Sequence, residues 1–347
     1  MQCDNCTTLE PIEDQGYVYI RPGYAEVHQL FLDHGLSVQE TSEGCTVAYE
    51  VLEEMLTLIK LLKDISPGIR EELSFSVTGR ETSLSRRKWL PLKQLEEQLK
   101  HLDVVNIIME QQFTSFMQPI VDSRQNIVAY EFLLRPREDS APFQPYQLFE
   151  TARTTGLHSF LDRSARISAI ETSALWLPRG IKRFVNFLPS SIYNPEYCLS
   201  HTFNTINRLS LDPSDFVFEV VETERVDNVN HLQSIFEVYR RNGIAVAMDD
   251  VGAGYSTLEQ MVRLKPDYVK IDRSLIDRCD QNVEQQQQLA IIANTAREFG
   301  ANVLAEGIER QEEFEFCRQI GIDLAQGYLF GKPAARPPMD YQNTLVV

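Results

Sequence analysis

Residues 245–255 read AVAMDDVGAGY. An apolar run suited to a buried strand stops at two adjacent acids, Asp249 and Asp250, and a loop spaced by Gly252 and Gly254 follows. Side chains alternate across a strand, so neighbouring carboxylates can serve one site only where the strand gives way to a loop. A plain turn or helix cap would use the same residues, because Asp is common in both. The neighbouring stretches decide between the two, since the design recurs. Residues 182–188 (KRFVNFL) carry Asn186 near their end, and residues 216–223 (FVFEVVET) carry Glu219 and Glu222. Residues 268–272 (YVKID) carry Lys270, residues 302–307 (NVLAEG) carry Glu306, and residues 324–330 (LAQGYLF) carry Gln326. Amphipathic stretches of helix length lie between them, such as 231–241 and 286–299. This alternation predicts repeated βα units and a parallel sheet. Closed into a barrel, such a sheet gathers the ends of its strands on one face.

Composition narrows the function classes. At 347 residues and 43% hydrophobic content the chain suits two globular domains. No apolar run approaches the ~18–20 residues that span a bilayer, and the opening MQCDNCTTLEPIED is polar and acidic, unlike a signal peptide. A soluble, cytoplasmic protein without a membrane partner is expected. The formal net charge of −17 argues against a nucleic-acid polymer, whose phosphates need a basic surface. A small phosphate ligand held through metal ions remains compatible with it. The six cysteines are too scattered for a disulfide framework. Cys3 and Cys6 have the C-x-x-C spacing of zinc or thiol redox sites, with Cys45, His28 and His34 as the available completing ligands; free thiols are the plainer reading. Cys198, Cys279 and Cys317 read as packing residues.

The sequence divides into a small mixed α/β domain at 1–79, a linker and connecting helix at 80–111, and a larger domain at 112–347. In the first, residues 17–20 and 45–49 read as strands and 24–36 as a helix. Residues 51–65 form its clearest helix, with Leu52, Met55, Leu56, Ile59 and Leu62 at helical spacing. Its role is not legible. Residues 79–88 are polar and suit a linker, with Arg86, Arg87 and Lys88 solvated. Leu92, Leu95, Leu99, Leu102 and Met109, with Asn106, then fall on a 3-4 spacing that predicts an amphipathic helix, either a short coiled coil or a helix packed on the larger domain. Residues 113–121 and 127–134 read as strands joined by a turn at 122–126, and could pair as a hairpin.

A family resemblance rests on the ordered set Glu131-Phe132-Leu133 with Arg135, Glu219-x-x-Glu222, Asp249-Asp250-Val-Gly-Ala-Gly-Tyr, Lys270-Ile-Asp272, Ala305-Glu306-Gly-Ile-Glu309 and Gln326-Gly-Tyr-Leu-Phe-Gly-Lys-Pro. Over roughly residues 113–338 the chain resembles the EAL domain, a family of cyclic di-GMP phosphodiesterases and inactive, ligand-binding relatives. The resemblance implies a modified (β/α)8 TIM-like barrel whose first strand runs antiparallel to the rest, and a homodimer through the barrel.

The residue types point independently to hard cations. Carboxylate and amide oxygens without His or Cys suit Mg2+ or Mn2+ rather than zinc. Two ions sharing a carboxylate suit phosphodiester displacement. Carried over, the resemblance places one ion on Glu131, Asn186, Glu219 and Asp249, and the second on Asp249, Asp250 and Glu306, partly through water. It makes Lys270 the catalytic lysine near the attacking water, and Glu222 and Glu309 supporting glutamates. Arg135 would meet a substrate phosphate, and Gln118 and Gln326 would contact the cyclic di-GMP.

Two departures stand out. Phe132 occupies the alanine position of the E-A-L signature, setting a large ring beside the first metal ligand. The loop after Asp250 reads VGAG where FGTG is usual, so Val251 lacks an aromatic contact and Ala253 a hydroxyl. Two functions follow from the resemblance: hydrolysis of cyclic di-GMP to linear pGpG, or a receptor with little turnover that reports occupancy to the N-terminal domain. Receptors commonly lose metal ligands, and here every ligand position and Lys270 are intact. The enzyme is therefore expected.

Overall fold

The computed structural model describes residues 12–80, 88–221, 229–252 and 258–337. Cys3, Cys6, Arg86, Arg87, Glu222 and Ala253 lie outside them, so the zinc expectation, one supporting glutamate and one departure fall on residues that are not described. Internal contacts divide the chain into two units, Met1–Phe113 with Pro136–Leu161, and Thr114–Arg135 with Asp162–Val347.

The first unit holds a five-stranded sheet of β1 (Gly16–Arg21), β2 (Val38–Glu40), β3 (Cys45–Tyr49), β4 (Ser74–Gly79) and β5 (Leu90–Pro91), in the order β2-β3-β1-β4-β5. Every neighbouring pair is antiparallel. With helices Ala25–Asp33 and Leu52–Leu61 after β1 and β3, this is a pair of interleaved βαβ units. Alternating Val18 and Ile20 on β1 and Val47 and Tyr49 on β3 face Val27, Phe31, Met55 and Ile59 from the two helices. The sequence reading found β1, β3 and both helices but missed β2 and β4. Strand β4 (SFSVTG) shows only two large apolar residues, and its pairing to β1 is set by a partner more than fifty residues away.

The predicted single helix at 92–109 is two helices, Leu92–Lys100 and Leu102–Met109, separated by His101 at φ −119°, ψ 36°. Leu92 and Leu95 are buried in the core of the first sheet. Leu92, Leu95 and the partly buried Leu99 thus serve that core, and the break at His101 ends the seam before Leu102.

The second unit is a closed eight-stranded barrel. Its strands are β6 (Phe113–Asp122), β7 (Ile127–Pro136), β8 (Lys182–Phe187), β9 (Phe216–Val220), β10 (Ala245–Val251), β11 (Tyr268–Ile271), β12 (Asn302–Ala305) and β13 (Leu324–Gln326). Neighbours from β7 through β13 pair in parallel, whereas β6 closes the ring antiparallel to β13. The β6–β7 turn is fastened by Asp122, whose carboxylate accepts from the backbone N–H groups of Arg124 and Asn126 at 2.8 Å each. The modified (β/α)8 barrel with one inverted strand and a small α/β domain beside it in sequence is therefore the observed fold.

Alternation along each strand sorts the side chains into layers. Ile120, Ala129, Phe184, Val217, Ala247, Tyr268, Leu304 and Leu324 form one apolar cluster with a member on every barrel strand. Only the interior of a closed barrel can bring all eight strands together, so this cluster is an inner layer. Residues of the opposite parity, such as Phe132, Val185, Phe218, Val246, Val269 and Val303, face outward and are buried too. Phe218, for example, stacks on Tyr239 of helix Val229–Arg241 with ring centroids 4.5 Å apart. Both faces of each strand are covered, which is why these strands read as continuous apolar runs.

Candidate functional site

One step of alternation separates the apolar layer from a polar one. Moving two residues along each strand toward the same rim turns Ile120 into Gln118, Ala129 into Glu131, Phe184 into Asn186 and Val217 into Glu219. The same step turns Ala247 into Asp249, Tyr268 into Lys270, Leu304 into Glu306 and Leu324 into Gln326. Each strand thus presents one polar group at the level just above the core.

These groups meet. The Lys270 ammonium lies 2.8 Å from Glu219 Oε2, 2.8 Å from Glu306 Oε1, 3.0 Å from Asp249 Oδ1 and 3.7 Å from Glu131 Oε1. Asn186 Nδ2 donates to Glu131 Oε1 at 3.2 Å, and Gln326 Nε2 donates to Glu131 Oε2 at 2.7 Å. Lys270 and Glu219 are almost completely enclosed. Gln118 is buried at the same level and donates to the Gly331 carbonyl at 3.2 Å.

The adjacent acids are accommodated inside β10, not beyond it. Its register to β11 shifts between Met248 and Val251, and Asp250 adopts φ +53°, a left-handed conformation that costs a residue other than glycine about 1–2 kcal/mol. This bulge supplies the extra residue that lets both carboxylates reach one site. Oxygens of Asp249, Asp250 and Glu306 come within 4.8 Å of one another. Strain held at such a point is characteristic of functional sites.

Charge is the dominant feature. Five carboxylates (Glu131, Glu219, Asp249, Asp250 and Glu306) against one ammonium leave a formal charge of −4. Two ionised carboxylates about 5 Å apart repel by roughly 3 kcal/mol at an effective dielectric near 20, more than the 1.36 kcal/mol that moves a pKa by one unit. Burial, reinforced by the neighbouring acids, pushes Glu219 and Glu306 well above the ordinary carboxylate range and raises Asp249. Burial and Asp249 push Asp250 up to about 6. Glu131 moves the other way: burial works against ionisation, but Lys270 and the donors Gln326 and Asn186 outweigh it. For Lys270, burial opposes the charge, and the surrounding acids overcome it and raise its pKa well above the usual value.

Divalent ions fit this donor set. Glu219 Oε1 is buried and finds no amide, hydroxyl or ammonium donor among the described residues; acids are its neighbours. The donors are hard oxygens, and the excess negative charge is what a 2+ ion would neutralise.

The remaining expected residues are placed less centrally. Arg135 lies four residues beyond Glu131 on β7, with the same parity, and donates to the Leu134 carbonyl at 2.7 Å. Glu309 is outside the polar layer, paired to the exposed Arg273 at 2.8 Å. Phe132 is 3% exposed and of opposite parity to Glu131, so the ring packs in the outer layer and does not enter the carboxylate cluster. Val251 is fully buried opposite Ile271.

Three supporting residues escaped the sequence reading. The Gly327 position admits no side chain, since a Cβ there would come within 1.9 Å of the Ile308 carbonyl oxygen. That contact accompanies hydrogen bonds from Ile308 N to Gln326 O and from Leu329 N to Ile308 O, which hold the loop after Glu306 against the end of β13. Asp162, buried beneath the end of β8, accepts from Leu188 N at 2.8 Å and pairs with Arg166. Glu313 accepts backbone N–H groups of Arg278, Glu309 and Arg310. Neither Glu313 nor Asp162 had a local signal, since a capping box is announced by Ser or Thr at the N-cap and this helix has Arg310 there.

Comparison with known proteins agrees with this geometry. The model of the EAL domain family matches residues 98–333. The chain is 30% identical over 226 residues to the probable cyclic di-GMP phosphodiesterase PdeG of Escherichia coli K12, covering 63% of this chain and 44% of that protein. It is 28% identical over 283 residues to the cyclic di-GMP phosphodiesterase PdeF of the same organism, covering 79% of this chain and 37% of that protein. The chain thus spans less than half the length of these two relatives. Among solved structures, a standalone versatile EAL protein from Vibrio cholerae O395 in its c-di-GMP-bound form matches with a TM-score of 0.59 and 32% identity, covering 65% of this chain and 94% of that one. Klebsiella pneumoniae BlrP1, in a calcium and cyclic di-GMP complex, matches with a TM-score of 0.59 over 92% of this chain and 96% of that one; at 21% identity it speaks for the fold alone. By its family match and by the polar layer that its eight strands build, the chain belongs to the EAL domain family.

Proposed function

We propose that this protein hydrolyses cyclic di-GMP to linear pGpG at the polar rim of the barrel. The observation that carries this reading is the excess of carboxylate at that rim, five acids with one lysine, Glu131, Glu219 and Asp249 among them buried, on a barrel of the EAL family. A solvated surface has no reason to bury such a charge.

Glu131, Asn186, Glu219, Asp249, Asp250 and Glu306 would hold Mg2+ or Mn2+. When bound, these ions supply positive charge to a phosphodiester and lower the pKa of water. Asn186 and Gln326 fix the Glu131 carboxylate by one donor on each oxygen. Lys270 is held protonated by the acids around it, so its part is to orient water and contribute charge as a donor; accepting a proton would require it first to lose one. Arg135 and Gln118 are assigned to the ligand, the guanidinium to a phosphate oxygen. Glu222 and Glu309 are assigned to holding loops near the site. In the reaction one water adds across a phosphodiester: its oxygen bonds to phosphorus, one P–O bond breaks and the leaving 3′-oxygen gains a proton.

The test is product analysis after incubation of the chain with cyclic di-GMP and Mg2+, Mn2+ or chelator. Linear pGpG in the presence of an ion and none with chelator is the expected result. Binding of cyclic di-GMP without turnover under every ion would overturn the enzymatic reading.

A further inference from the structure

Glu313 sits in the first turn of helix Gln311–Gln319, is 1% exposed and belongs to no metal-ligand set. Its Oε2 accepts from the backbone N–H groups of Glu309 at 3.1 Å and Arg310 at 3.0 Å, which is ordinary capping of its own helix. Capping does not account for the third bond. Glu313 Oε1 accepts at 3.0 Å from the backbone N–H of Arg278, in the segment that follows β11 and the short helix Arg273–Ile276.

A second observation bears on the same point. Arg278 has φ +57°, a left-handed conformation unfavourable for a residue with a side chain, so something must hold it. The two segments joined through Glu313 are those that leave Lys270 and Glu306, which lie 2.8 Å apart. They are also linked by Glu306 N donating to Ile271 O at 3.1 Å, and by the two-pronged Arg310–Asp280 ion pair. The Glu313 side chain is itself 1% exposed, so an acceptor lost there is poorly replaced by water.

We infer that Glu313 is a positioning residue that fixes Glu306 relative to Lys270 by clamping the segments after β11 and β12 to one buried carboxylate. This rests on the metal-dependent reading for its effect on ions, but the clamp itself does not. Groups that orient metal ligands typically change ion affinity 10–100-fold when removed.

The experiment uses the full chain. Glu313→Ala leaves three partly buried N–H groups without an acceptor and can fail to fold, so the decisive variant is Glu313→Gln, which keeps the shape and one oxygen. Glu315→Ala, at an exposed position of the same helix, is the control. Amide exchange in the metal-free protein and Mn2+ titration by calorimetry are measured for each, with thermal unfolding to confirm folding. In Glu313→Gln one acceptor oxygen becomes an NH2 donor, so exchange should rise at Arg278 or at Glu309–Arg310, whichever side loses its acceptor. Mn2+ should bind at least about tenfold more weakly, and kcat should fall with little change in KM. Unchanged exchange at all three amides overturns the clamp, and wild-type Mn2+ affinity in Glu313→Gln overturns the positioning role. Failure of the wild-type chain itself to bind Mn2+ would instead remove the functional reading, leaving the clamp to be decided by exchange.

Discussion

The two rims of the barrel both carry acids, and they treat them in opposite ways. At the rim where strands begin, Asp215, Asp267 and Asp323 stand immediately before β9, β11 and β13. Each has donors within reach: Asp215 accepts from Gly180 N at 3.1 Å and from Arg183 at 3.0 Å, Asp267 from Val246 N at 2.9 Å, and Asp323 from Val303 N at 2.8 Å. These carboxylates fasten one strand to the segment beside it. At the rim where strands end, five carboxylates face a single lysine and one another. Satisfied acids hold a fold together, whereas acids left in excess make it ready for a cation at some cost in stability.

The largest effect expected from this contrast is on turnover at the rim where strands end. Glu131→Ala should reduce ion-dependent hydrolysis of cyclic di-GMP by about a thousandfold or more, the order expected when a group stabilising transition-state charge is lost, with a melting temperature close to wild type. A variant that turns over normally would erase the distinction between the rims. Asp215→Ala should do the reverse. It leaves Arg183, 1% exposed, without its carboxylate, and urea titration should show a loss of about 3–5 kcal/mol while the folded fraction keeps wild-type kcat.

Phe132→Ala sharpens the comparison between layers. It restores the usual E-A-L signature at Glu131–Leu133, but the ring lies in the outer layer, so the expected result is a stability loss of about 3–5 kcal/mol. Ion affinity should be unchanged; a variant that binds Mn2+ more tightly would place the ring's influence inside the site after all.

The smallest effect is on pH dependence. Asp250 has its pKa raised to about 6 from an ordinary value of 3.8, so its contribution favours the folded state below pH ~4 and is lost as pH rises through about 6. Glu219, Asp249 and Glu306 act in the same sense, and Glu131, lowered, in the opposite one. Chelator-treated protein should therefore lose some melting temperature between pH 4 and pH 7, and Mn2+ should restore it at the upper end. Asp250→Asn should flatten this slope, and an identical slope in that variant would deny Asp250 its part.

Strand β10 shows how much of the fold and site was legible. Ala245, Ala247 and Asp249 alternate with Val246 and Met248, so a reader of the sequence can assign the strand and see where it becomes polar. The bulge at Asp250 is not legible, because it depends on the register to β11, fixed by pairing Met248 to Val269 and Val251 to Ile271. Phe132 illustrates the same limit: adjacency in sequence to Glu131 suggested a ring in the site, and strand parity sends it to the other side. Glu313 was not read from the sequence at all, since the partner that makes it a clamp, Arg278, lies thirty-five positions away.

The sequence by itself determined the βα rhythm and, on the six strands from β8 to β13, the polar residue at the strand end, because strand alternation and helical spacing are local properties of the chain; Gln118 and Glu131 came from the family resemblance. Tertiary structure alone decided that those residues share one layer around Lys270, that Phe132 and Leu95 serve cores, and that Asp215, Asp267 and Asp323 are fasteners. Barrel closure, register and burial are set by partners distant in the chain, and it is burial that turns a row of ordinary acids into a site with charge to spare.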